Sequence, residues 1–136
     1  MQFTGKIEKQ GNKYWLMVSE ITAIGMGSSI EKAFKELQKS FYVICEDDNK
    51  EFAHIECKQE SNKTFTVTVE NSQEMFTWLL GRLRGNAGMT FSDIVAGLGQ
   101  KSVGSIQSYF KDKQPSFLKA CNMLNVMGYD VEIKKK

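Results

Sequence analysis

The chain has 136 residues, 41% hydrophobic and 25% charged, with a formal net charge of +2. That composition is globular and suits one domain of ordinary size or two small ones. Cys45, Cys57 and Cys121 lie far apart with no Cys-x-x-Cys pair, which suggests neither a zinc site nor a redox motif and leaves buried free thiols as the expectation.

Residues 2–9 and 13–19 read as two strands around the turn Gln10-Gly11-Asn12, the second containing the run YWLMV. A third short strand is expected through Ala23–Met26. Ser28 and Glu31 form a capping-box pattern ahead of a helix whose stripe is Ile30, Ala33, Phe34, Leu37, Phe41 and Ile44. The helix should stop near Glu46-Asp47-Asp48-Asn49, where acids oppose the negative end of its dipole. FAHIECK puts Ala53, Ile55 and Cys57 on one strand face, and TFTVTVE turns Phe65, Val67 and Val69 inward.

From Asn71 the pattern becomes helical. Asn71 is placed to cap a helix carrying Met75, Phe76, Leu79, Leu80 and Leu83, broken at Gly85-Asn86-Ala87-Gly88. Thr90 and Asp93 open a short second helix with Ile94, Val95 and Leu98, ending at Gly99. A third is expected from about Ser102 to Phe110. Pro115-Ser116 starts a fourth, with Phe117, Leu118, Cys121, Leu124 and Met127, closed by Gly128. Tyr129, Val131 and Ile133 then alternate with Asp130, Glu132 and Lys134 as a terminal strand, a candidate dimer edge. The fold class expected is α+β: a small antiparallel sheet with one packed helix over residues 1–70, then an all-α helix-turn-helix domain with a terminal strand over residues 71–136.

The charge divides along the same boundary. Residues 1–70 hold nine Lys and no Arg against eleven Asp and Glu, whereas residues 71–136 hold seven Lys and two Arg against five acids. The second part is therefore the candidate polyanion binder.

Within it, the stretch GQKSVGSIQSYF sets Val103, Ile106 and Phe110 on one helical side and leaves the other small, polar and lightly charged. A surface chosen for helix stability alone would not use serine and glycine repeatedly. A helix entering a DNA major groove would: Gly104, Ser105 and Ser108 permit close approach, and Gln107 suits adenine through its paired amide atoms. Lys101, Ser102, Lys111 and Lys113 flank it for phosphates. With Thr90 at the start of the preceding helix, these nine residues form the candidate DNA-binding set. A lone reading helix covers a half-site, so a homodimer or tetramer is expected.

Catalytic chemistry is not expected. His54, the only histidine, reads as a structural or surface residue, and Glu8, Asp47, Asp48 and Glu51 do not form a converging metal-binding set. Gly25-Met26-Gly27 lacks the lysine and spacing of a phosphate loop and reads as a tight turn. Tyr14 and Trp15 read as core and partner-facing sheet. No metal and no cofactor are anticipated. The start MQFTGKIEKQ lacks the apolar run of a signal peptide, and no stretch reaches bilayer length, so a cytoplasmic protein without a membrane partner is expected.

Residues 79–128 resemble the helix-turn-helix of the Cro/repressor superfamily. The matching points are Leu83-Arg84 before Gly88, Ile94-Val95, Leu98-Gly99, Ser105-Ile106 and Pro115-Ser116. Where many members place a phosphate-binding Gln after the helix-two cap, this chain has Phe91. Residues 1–45 resemble the HicB antitoxin family over IEKQGNKYWLMVSEITAIGMGSSIEKAFKELQ, with Ser19 where many members have proline. The resemblance implies a truncated ribonuclease-H-like N-terminal module that blocks a small, mRNA-cleaving HicA-type toxin, joined to a part that binds operator DNA and represses its own operon. An acidic N-terminal half would speed association with a basic toxin. The alternative is a stand-alone transcriptional regulator with a ligand-sensing or oligomerising N-terminal module.

Overall fold

The computed structural model describes residues 1–47 and 55–136. Its backbone contacts group into two compact units, Met1–Ser72 and Gln73–Lys136.

The first unit is an antiparallel sheet under one helix. The strands are β1 (Gln2–Gln10), β2 (Lys13–Val18), β3 (Ala23–Gly27), β4 (Ile55–Gln59) and β5 (Thr64–Val69), in the order β3-β2-β1-β5-β4. Gly11, at φ 60°, makes the hairpin turn between β1 and β2. The period-2 pattern aims Phe3, Ile7, Leu16, Val18, Phe65, Val67 and Val69 to one face, all buried. Helix α1 (Ile30–Asp47) covers that face with Ala33, Leu37, Phe41 and Cys45. Its approach is close because Gly25 has no side chain: a Cβ there would lie 2.4 Å from the Ala33 carbonyl oxygen and 2.5 Å from the Leu37 nitrogen. Ser29, rather than Ser28, caps α1, accepting from the Lys32 N–H at 3.2 Å. Ser28 instead accepts from the Lys32 ammonium at 3.3 Å.

The second unit contains α2 (Gln73–Ala87), α3 (Phe91–Gly97), α4 (Gly104–Gln107) and α5 (Phe117–Val126). Met75, Trp78, Leu80 and Leu83 of α2, Ile94 and Val95 of α3, Ile106 of α4 and Met123 and Leu124 of α5 form its core. Asn71 does not cap α2; its Oδ1 accepts from the N-terminal ammonium of Met1.

The expected fold class needs correction. The chain is α+β, with five strands in one antiparallel sheet and five α-helices among the described residues. A ribonuclease-H-like module followed by a separate all-α helix-turn-helix domain with a terminal strand is not what it forms. The stretch expected as one helix from Ser102 to Phe110 is a four-residue α-helix followed by a 3-10 turn over Ser108–Phe110. Glycine and serine supply too little helix propensity to hold a longer one. Residues 129–133 form no strand, although their side chains alternate. The second unit offers no strand among its described residues to complete a ladder, so Val131 and Ile133 remain exposed.

Candidate nucleic-acid interface

The candidate DNA-binding residues gather on α3, α4 and the segments flanking α4. Thr90 caps α3: its hydroxyl oxygen accepts from the Asp93 N–H at 3.1 Å, while the Asp93 carboxylate accepts from the Thr90 N–H and hydroxyl, each at 2.8 Å. The backbone hydrogen bond from Thr90, then the one from its hydroxyl, holds the Asp93 carboxyl below the usual aspartate value. Gly99, at φ 68°, ends α3, its N–H donating to Ala96 O at 3.0 Å.

Ile106 is fully buried and anchors α4, which leaves Lys101, Ser102, Gly104, Ser105 and Gln107 exposed. A Cβ on Gly104 would meet only Ser102 Oγ, at 3.5 Å, so nothing within this chain requires a glycine there. Ser105 is already engaged: its hydroxyl lies 2.7 Å from Gln100 Oε1 and 2.6 Å from Ser102 O. Its single proton serves one of these at a time, and both tie α4 to the preceding turn. Ser108 is half-buried, and its carbonyl accepts from Lys111, Asp112 and Lys113 N–H groups at 3.0–3.1 Å. Lys111 is exposed, and the Lys113 ammonium sits 5.3 Å from the Tyr109 ring centre. Across residues 99–113 three lysines face a single acid, Asp112, a mildly cationic surface.

One arrangement was not legible in the sequence. Phe91 and Phe110 meet edge to face at 5.1 Å, and the Arg84 guanidinium lies 4.4 Å from the first ring centre and 5.8 Å from the second. Arg84 Nη1 also donates to Met89 O at 3.0 Å. This clamp joins α2, α3 and the 3-10 turn after α4. Phe91 therefore has a packing role where the resemblance expects a phosphate ligand. The signal available was the cation in Leu83-Arg84 together with the rings of Phe91 and Phe110, but their meeting depends on chain reversals that periodicity does not specify.

Among the described residues no three His, Cys, Asp or Glu side chains cluster to hold a metal ion. Glu8 is exposed on β1; Asp48, Glu51, His54 and Ala53 lie outside the described residues, as does the Asp47 side chain. Cys45 is buried and Cys57 and Cys121 are half-buried, and none is in a disulfide. Burial pushes the Cys57 thiol up to about 11. No described helix is long and apolar enough to cross a membrane. Compared with protein-family models and with curated proteins, the chain matches none.

Proposed function

We propose that this chain is a HicB-like antitoxin, which neutralises a HicA-type mRNA-cleaving toxin in the cytoplasm and represses its own operon by binding operator DNA as a dimer or higher oligomer. The observation that carries the DNA half is the surface of α4. Ile106 takes its apolar side fully into the core, and the side left outside is glycine, serine and glutamine between lysines.

In this reading Gln107 contacts a base edge, while Lys101, Ser102, Lys111 and Lys113 meet phosphates. Gly104 lets the backbone approach the duplex, which accounts for a glycine that the chain's own packing does not need. The Thr90 and Ser105 hydroxyls are occupied within the protein. They remain able to accept hydrogen bonds but have no spare proton for a phosphate, so their contribution is positional.

The toxin half rests on the resemblance over residues 1–45 and on the acidic balance of residues 1–70. Co-expression with the neighbouring open reading frame tests it: a small basic companion that arrests growth alone and co-purifies with this chain supports the antitoxin reading. DNA binding is tested by gel shift against the upstream region of the operon. Gln107→Ala should lose about 1–3 kcal/mol at one base position, and Lys111→Ala should weaken all sequences alike and flatten the salt slope. Equal loss on every sequence for Gln107→Ala would remove it from base reading.

A further inference from the structure

The sheet of the first unit has a second face, opposite α1, and its β2–β3 end is apolar. Trp15, Met17, Ile24 and Met26 are 38%, 41%, 46% and 37% exposed. The strand registers set them in a block, with Trp15 opposite Met26 and Met17 opposite Ile24. On the other side of β2, Glu8 stands opposite Trp15 and Lys6 opposite Met17. The face thus carries two rows: Glu8, Trp15, Met26 and Lys6, Met17, Ile24. Neither Lys6 nor Glu8 forms an ion pair among the described residues. A shallow hollow of about 100 Å³ lies between them and the apolar block. The adjoining strand β3 is an edge of the sheet.

We infer that this face is the contact between two copies of the chain, packed face to face about a two-fold axis that runs across the strands between the two rows. Such an axis inverts the row order. Glu8 then meets Lys6 of the second copy, Trp15 meets Met17, and Met26 meets Ile24, and each pairing occurs twice. Charge complementarity is what selects a second copy as the occupant. One lysine and one glutamate, in different rows and at equal depth from the apolar block, complement themselves under inversion; a uniformly basic partner would leave Lys6 unmatched. A contiguous apolar block with a polar rim is the pattern of a contact surface rather than of a solvated sheet. The pairing assigns a surface to the oligomer invoked above, and it stands whether or not the chain binds DNA or a toxin.

The full chain at micromolar concentration, measured by sedimentation equilibrium, should be a dimer. Dilution should red-shift the emission of Trp15, because the other tryptophan, Trp78, is already buried at 5% exposure. Ile24→Lys should raise the dimer dissociation constant by about tenfold or more while far-UV circular dichroism stays that of the parent. Lys6→Glu and Glu8→Lys should each weaken the dimer several-fold, and the double exchange Lys6→Glu/Glu8→Lys should restore it. That double variant keeps the composition and changes only exposed side chains, so it decides the matter even if Ile24→Lys misfolds. A monomer at all concentrations, a dimer indifferent to Ile24→Lys, or a double exchange no stronger than its single components would each overturn the inference.

Discussion

Gly25 lies directly beneath α1, and its missing Cβ lets the helix backbone sit on β3. Gly25→Ala should destabilise the first unit by about 1–3 kcal/mol, since the clash is with backbone atoms of Ala33 and Leu37 rather than a flexible side chain. Urea denaturation followed by circular dichroism would read it. At Asp93 the sign of the pH effect follows from its lowered pKa. A depressed carboxyl adds stability above its unfolded value and loses it as pH falls through the folded value. Wild type should therefore lose its advantage over Asp93→Asn on acidification below the ordinary carboxylate range, as measured by urea midpoints across pH. Cys57 is governed by burial instead: with its thiol near 11 it stays protonated around neutrality. An alkylating reagent should modify it slowly in the folded protein and readily after unfolding, as mass spectrometry would show.

At the scale of elements, α4 is too short to hold its own shape. Four residues rich in glycine and serine cannot nucleate a helix, so the segment depends on what it is packed against. Two supports are visible. Ile106 is fully buried, and the ring of Phe110 is held by Phe91 and Arg84. Phe91→Gln would install the residue that the Cro/repressor pattern places after the cap, yet it would also remove the ring beneath Arg84. It should lower the melting temperature and, under the proposed function, weaken DNA binding by gel shift, rather than improve either. Tighter binding with unchanged stability would show that the clamp does not hold α4 in place. This clamp also explains which part of the site was readable. The polar side of 101–108 follows from residue types, whereas the engagement of Ser105 with Gln100 and the use of Phe91 for packing depend on how α3 turns into α4.

For the whole molecule, the contacts divide into Met1–Ser72 and Gln73–Lys136. The first unit closes on itself: β1 pairs with β5, and the Met1 ammonium donates to Val69 O at 2.9 Å, joining its two ends. A fragment of residues 1–72 should therefore unfold cooperatively on its own, with a sheet-and-helix circular dichroism spectrum. A fragment with no urea transition would show that it draws stability from the rest of the chain.

Whatever depends on neighbours a few residues apart is legible in the order of residues alone. Alternation in 64–69 and in 2–10 aimed side chains to one face, the stripe from Ile30 to Ile44 marked α1, and Thr90 with Asp93 marked the start of α3, because period and capping are local chemistry. The remaining features come from contacts between segments far apart in the chain. Residues 129–133 alternate as cleanly as β5 does but form no strand, since a strand is stabilised by a partner's hydrogen bonds and not by its own pattern. The rows on the outer sheet face rest likewise on strand registers rather than on the pattern within one strand: that of β1 with β2 brings Glu8 beside Trp15 and Lys6 beside Met17, and that of β2 with β3 adds Met26 and Ile24.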